Sequence, residues 1–128
     1  MDKVIAVPLK GAAGVKFGMK RLEVRKVLGE ANEFKKSKFS KTSTDDFGFC
    51  HVFYNSDDEC EAIELFREVQ VMIDGRLVFP TTLDEAKKIF GELLVDDGSY
   101  ISKKDSVGIY APGGSMESIL FGIAGYYE

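Results

Sequence analysis

The sequence contains no tryptophan, a single histidine and two cysteines, and each scarcity narrows what the chain can do. With only His51 available, imidazole catalysis would need a nucleophile and an orienting carboxylate that no motif supplies, so a structural histidine within a strand is the simpler reading. Cys50, His51 and Cys60 do not make a metal site, because adjacent strand residues point to opposite faces and Cys50 and His51 cannot easily meet one ion. A turn centred on Ser56-Asp57 would set Cys50 opposite Ile63 and Cys60 opposite Phe53, so no disulfide is expected. The two thiols are read as reduced and partly buried.

Long apolar runs are also missing. The richest stretch, Ser118 to Tyr127, is broken by glycines and falls far short of the roughly 20 residues that span a bilayer. Asp2 stands where a secretion signal would be basic, and Pro8 follows only four apolar residues. These features predict a cytoplasmic chain with no membrane segment. Gly11, Gly14 and Gly18 do not follow phosphate-loop or dinucleotide spacing. Ser115, in Gly113-Gly114-Ser115-Met116-Glu117, lacks the strand-to-helix elbow of a hydrolase nucleophile. No cofactor, no metal and no catalytic residue is therefore assigned, and the chain is read as a non-enzyme.

What is present suffices for one folded domain over residues 1–128. The chain is 45% hydrophobic, with ten Phe and five Tyr against 30% charged residues, enough apolar surface to offset chain entropy. Charge is unevenly placed: residues 1–41 hold eleven Lys/Arg and four Asp/Glu, while 42–128 hold six and seventeen. The aromatics lie mostly in the acidic part, the reverse of a nucleic-acid interface, so nucleic acid is not the expected partner. The lysine-rich stretch Lys35 to Lys41 reads as a solvated loop or a lysine-blunted edge strand.

The local patterns alternate between strand and helix. Val4 to Leu9 reads as a strand, and Val15 to Met19 as half-buried extended chain. Lys20 to Leu28 reads as a short helix stopped by Gly29, with little capping at its start. Phe47 to Tyr54 and Cys60 to Phe66 bracket a polar turn, and Val69 to Ile73 and Arg76 to Phe79 bracket Asp74-Gly75, a strong hairpin signal. Thr82 and Glu85 form a capping box opening a second helix, with Leu83, Ala86, Ile89, Phe90 and Leu93 at helical spacing. Strands around Val107 to Ala111 and Met116 to Ile123 close the chain.

Glu23-Val24-Arg25-Lys26-Val27-Leu28-Gly29-Glu30 and Glu85-Ala86-Lys87-Lys88-Ile89-Phe90-Gly91-Glu92 match at an offset of 62, and each is followed by strands. The match reflects either a tandem helix-then-strands repeat, with units 14–79 and 80–128, or the shared composition of two amphipathic helices. The fold class is α+β: an antiparallel sheet with two short helices on one face.

The segment Gly14 to Glu30, with its Gly-Met-x-x-x-Glu-Val-x-x-x-Leu-Gly pattern, resembles the opening of two bacterial groups. These are the β-lactamase inhibitory protein fold and the SmpA/OmlA (BamE-like) outer-membrane assembly lipoproteins, both built from short helix-then-strands units. It also looks like part of a wider set of small bacterial proteins that includes toxin-neutralising immunity proteins. The chain lacks the lipidated cysteine of the lipoproteins and the disulfides of the secreted inhibitors, and no family binding residue carries over.

The resemblance and the acidic, aromatic half point to a protein-binding module, an immunity-type inhibitor masking a basic toxin or enzyme. Asp57, Asp58, Glu59, Asp96, Asp97 and Tyr110 are the candidate binding residues. The carboxylate clusters, Asp45-Asp46 among them, are all expected in turns. The alternative is a small-ligand domain in which Phe47, Phe49, Phe53 and Tyr110 line a pocket on a curved sheet.

Overall fold

The Asp74-Gly75 turn fixes the first piece of the architecture. Both residues adopt left-handed angles, φ 49° and 78°, which aligns the turn with the twist of the flanking strands and closes a two-residue hairpin. A computed structural model describes residues 2–128 and places this hairpin, β8 (Val69–Ile73) and β9 (Arg76–Phe79), in a five-stranded sheet. Its other strands are β1 (Asp2–Val7), β2 (Gly11–Ala12) and β3 (Val15–Lys16), and the order is β3-β2-β1-β8-β9. β1 runs parallel to β8, with Val4 opposite Val71.

An eight-stranded, wholly antiparallel sheet makes up the second layer. Its first half is β4 (Asn32–Phe34), β5 (Thr44–Asp46), β6 (Cys50–Tyr54) and β7 (Cys60–Phe66), which follow helix α1 (Arg21–Leu28). Helix α2 (Leu83–Phe90) precedes the second half: β10 (Leu94–Asp96), β11 (Ser99–Ser102), β12 (Val107–Tyr110) and β13 (Ser118–Gly122). The order β10-β11-β12-β13-β7-β6-β5-β4 joins two meanders at the β13–β7 contact. The molecule is thus a mixed α+β protein, mostly strand, with two helices.

Residues directly opposite one another on neighbouring strands share a face of a sheet, so the registers sort this sheet into two sides. On one side Cys50, Val52, Ile63, Leu65, Val107, Ile109, Ile119 and Phe121 are 0% exposed and form the core with Val24, Val71, Val78 and Phe79. Helix α1 contributes Val24 to this core, and α2 contributes Ala86 and Phe90.

Several expected boundaries shift. The strand expected from Phe47 is β6 from Cys50, and the chain reverses over Phe47 to Phe49 after β5, a strand the sequence reading did not contain. α2 ends at Gly91, φ 77°, before Leu93. The hairpin between β6 and β7 sets Cys50 opposite Leu65 and Tyr54 opposite Cys60, with an irregularity at Phe53/Tyr54, correcting the expected pairs. The cause is a longer polar turn, Asn55 to Glu59, with Asp58 at φ 62° and the Asn55 carboxamide oxygen accepting from the backbone N–H groups of Asp57 and Glu59. Both cysteines are free and fully buried rather than partly so.

Candidate functional site

Two constellations of polar side chains stand out, and they lie on opposite sides of the eight-stranded sheet. The first surrounds Asp45. Expected in a turn with Asp46, Asp45 is instead the middle residue of β5 and 0% exposed, a correction that follows from its pairing with Val52 on the core side. Its carboxylate accepts four hydrogen bonds. Arg21 Nη1 and Arg25 Nη2 donate to Oδ1 at 3.0 and 2.6 Å, and Arg25 Nε and Tyr54 Oη donate to Oδ2, both at 2.9 Å.

Arg21 and Arg25 stand one helical turn apart on α1, and so reach the same carboxylate. The Arg21 guanidinium also lies 4.0 Å from the Tyr54 ring centroid and donates through Nε to Asp58 at 2.8 Å. Burial alone would raise the Asp45 carboxyl. The hydrogen bonds from Arg25 and Tyr54 and the charges of Arg21 and Arg25 outweigh it and hold the group below its ordinary range. With four donors on its carboxylate and 0% exposure, Asp45 is held as a charged acceptor. It locks α1 onto the sheet.

The same lock absorbs half of the sequence-selected site. Asp57, Asp58 and Glu59 form the β6–β7 turn, where Asp58 pairs with Arg21 and Glu59 with Lys20 at 3.5 Å, while the Asp57 carbonyl accepts from Lys20 Nζ. Asp96 and Asp97 lie at the β10–β11 turn near the far edge of the sheet, and Tyr110, 43% exposed, stands opposite Ser99 beside them. The registers Asp96–Ser99–Tyr110–Ser118–Phe66 put the β10–β11 turn at the Phe66 end of β7 and the Asp57–Glu59 turn at its Cys60 end, so the two are roughly 14 Å apart across the strands and about 20 Å apart along them. The structure therefore groups Asp96, Asp97 and Tyr110 and leaves Asp57, Asp58 and Glu59 apart from them.

The second constellation is the solvent side of the same sheet. By register it carries Phe34, Asp46, His51, Phe53, Glu64, Phe66, Leu120, Tyr110, Ile101, Leu94 and Asp96. Its strands place Asp46, Glu64 and Asp96 there by register, Glu61 of β7 lies beside Phe53 and Tyr126 at its edge, and none of these strands carries lysine or arginine. His51 is ringed edge-on by Phe34 and Phe66, with centroids at 5.1 and 4.7 Å, and its Nε2 lies 3.5 Å from Asp46 Oδ1. Ser118 Oγ donates to Glu64 Oε2 at 2.6 Å. Lys36, from the loop after β4, sits 3.8 Å over the Phe53 ring and borders this face at one end.

The C-terminal residues Tyr126 and Tyr127 lie on this face over Gly122 and Gly108, which leave room for the rings because they have no Cβ. Burial and the nearby Glu64 charge raise both phenols. Sequence reasoning marked Asp96 and Tyr110 but not Asp46, His51, Glu64 or Phe66. Their alternation with buried neighbours, His51 between Cys50 and Val52 and Glu64 between Ile63 and Leu65, was the available signal.

Phe47 and Phe49 pack against the core, whereas Phe53 and Tyr110 belong to the solvent face on strands separated by β7 and β13. The four do not line a common pocket. Cys50 is in the core while His51 faces out, so the imidazole cannot activate the neighbouring thiol. Burial pushes both thiols, Cys50 and Cys60, up to about 12. Among the described residues no group of three His, Cys, Asp or Glu side chains is placed to hold a metal ion. None of the helices there is long and apolar enough to cross a membrane.

No protein-family model, curated protein or solved structure matches the chain. The likeness of Gly14–Glu30 to two bacterial groups thus remains that of a short motif.

Proposed function

We propose that this chain is a non-catalytic protein-binding module, an immunity-type inhibitor that docks a basic partner on the solvent face of its eight-stranded sheet. One observation carries the reading. That face presents Phe34, Phe66, Tyr110, Ile101 and Leu94 together with Asp46, Glu64 and Asp96, and its strands offer no lysine or arginine. Aromatic anchors beside carboxylates that have no lysine or arginine partner suit a partner surface rich in arginine or lysine, with charge steering the approach and the rings supplying the buried area. Eight strands at about 4.8 Å spacing extend some 34 Å, the scale of one side of a standard interface. The inhibitor-like motif at Gly14–Glu30 agrees with this reading.

The test is capture of a partner from native lysate, followed by its identification and rebinding as a purified protein. A basic protein whose affinity falls at least tenfold with Glu64→Lys or Tyr110→Ala supports the assignment. A partner that binds both variants unchanged, or the absence of any specific partner, defeats it.

The same reading includes a tandem duplication with both helices on one face of the sheet. α1 and α2 begin and end 62 residues apart, both stop at a positive-φ glycine, Gly29 or Gly91, and β4 and β10 keep that offset. The nine-residue loop 35–43 then lengthens the first unit, and later strands follow at about 56. At that offset the β7–β13 register maps onto itself: Ile63 opposite Phe121 becomes Ile119 opposite Leu65. The helix-plus-meander units run from α1 to β7 and from α2 to β13, and the β8–β9 hairpin lies between them. A set of homologues whose halves show no similarity at these offsets would speak against it.

A further inference from the structure

β1 alternates in the usual way, with Ala6 buried, but after Lys3 its outward residues are aliphatic where a sheet facing water would be polar. Ile5 is 69% exposed and Val7 47%, and Leu9, just beyond the strand, is 41%. The chain then coils back tightly through Leu9 at φ 68°, Ala13 at 56° and Gly14 at 80°. Left-handed angles at two non-glycine residues in five positions are uncommon. Their effect is to fold β2 back on β1 and β3 on β2 and to leave a groove of about 730 Å³ beside the exposed aliphatics.

Its lining is Ile5, Val7, Leu9 and Phe17, with small residues from β2 and β3 and two lysines, Lys10 and Lys16. No carboxylate lines it. Both lysines are exposed and neither has an ion-pair partner among the described residues.

We infer that this groove binds an amphiphilic anion, an unbranched alkyl chain ending in a carboxylate. The aliphatic wall supplies the driving force for the chain, and Lys10 and Lys16 supply charge-assisted hydrogen bonds for the head group. The volume lies within the range of small-molecule sites. Ile5 to Leu9 covers only about 13 Å at strand rise, which suits a medium-chain carboxylate better than an extended protein surface.

Sodium decanoate titrated calorimetrically into the full chain tests the assignment. The expected result is saturable binding of one molecule per chain, about tenfold weaker for octanoate because two methylenes fewer are buried. Decanol and high salt should also weaken binding, and the double variant Lys10→Glu/Lys16→Glu should reduce the affinity at least tenfold. These side chains are exposed, so the variant should keep the native fold, verified by its amide NMR spectrum. Tyr110→Ala, on the opposite sheet, should bind decanoate normally, so failure here stays separate from failure of the protein-binding reading. Non-saturable uptake, equal affinity for decanol, or insensitivity to the lysine reversal would overturn the inference. So would adsorption to phosphatidylserine vesicles or self-association through this face without decanoate binding.

Discussion

Arg25 grips Asp45 with two hydrogen bonds, Nε to Oδ2 at 2.9 Å and Nη2 to Oδ1 at 2.6 Å, and the same guanidinium reaches Glu33 on the edge strand at 3.0 Å. This side chain thereby joins α1, β5 and β4. The three residues of β4 are all exposed, so the edge relies on polar attachment where a buried strand would rely on packing. Ser43 Oγ adds a 2.6 Å hydrogen bond to Glu33 from the end of the lysine loop.

Removing the Asp45 charge should therefore be costly. Asp45→Asn keeps the shape but leaves Arg21, 10% exposed, and Arg25, 31% exposed, facing a neutral amide at a fully buried position, and an amide nitrogen replaces one acceptor. A loss of about 3 kcal/mol is expected from breaking a buried pair on one side. The neighbouring Asp46→Asn, on the solvent face, should change stability by less than about 0.5 kcal/mol. Urea denaturation of the two variants measures the contrast, and equal losses would mean that the Asp45 cluster is not what holds α1.

Acid should act through the same carboxylate. Its native pKa lies below the ordinary value, so on lowering the pH the unfolded chain takes up a proton that the native chain still excludes. The stabilisation is complete above about pH 4 and is lost as the pH falls through the native pKa. Urea midpoints measured from pH 6 downward should drop more steeply below pH 4 for the wild type than for Asp45→Asn. Parallel curves would assign the acid sensitivity to other groups.

The Asp45 lock was hidden in the sequence for a physical reason. Asp-Asp beside Thr and Ser is a turn composition, and only the facing Arg21, Arg25 and Tyr54, 9 to 24 residues away, make burial of one of the two affordable. Elements whose signals are local were readable: β7, β8, β9 and the start of α2 fall where periodicity and capping place them. Glu85 N donates to Thr82 Oγ1 at 3.1 Å, while α1 has only the reverse half of a capping box, Lys20 N donating to Glu23 Oε1, because lysine carries no side-chain acceptor. The β10–β11 hairpin was legible but unread. Asp97-Gly98, φ 47° and 84°, repeats the Asp74-Gly75 turn, yet its strands are short and polar at one end. The solvent face was only partly legible, because a face depends on register and the β6–β7 register turned on an irregular turn.

The two thiols should be inert in the native protein. Cys50 and Cys60 are buried at 0% and 1% exposure, and burial pushes each up to about 12. A thiol-reactive chromogen at pH 8 should modify neither within the time that labels both in urea, because reaction needs an exposed thiolate. The native state favours the neutral thiol, so this contribution to stability is present below about pH 9 and declines as the pH rises towards 12. Rapid labelling of either cysteine without unfolding would contradict their place in the core.

Gly98 offers a test of the unread hairpin and of its neighbour Tyr110 together. An alanine there would have to adopt φ 84°, and its Cβ would come within 3.1 Å of Pro112 Cβ and 3.6 Å of the Tyr110 ring. Pro112 is a ring fixed in its own turn and cannot swing aside, so Gly98→Ala should cost about 1–2 kcal/mol. Gly113→Ala, one residue beyond that proline, meets nothing within 4 Å and has no positive φ, and should be close to neutral. Thermal unfolding compares the two. If Gly98→Ala lowers stability and also weakens the partner that Tyr110→Ala weakens, the β10–β11 turn holds the tyrosine in its binding orientation. If stability falls while partner affinity is unchanged, Tyr110 takes that orientation from β12 alone.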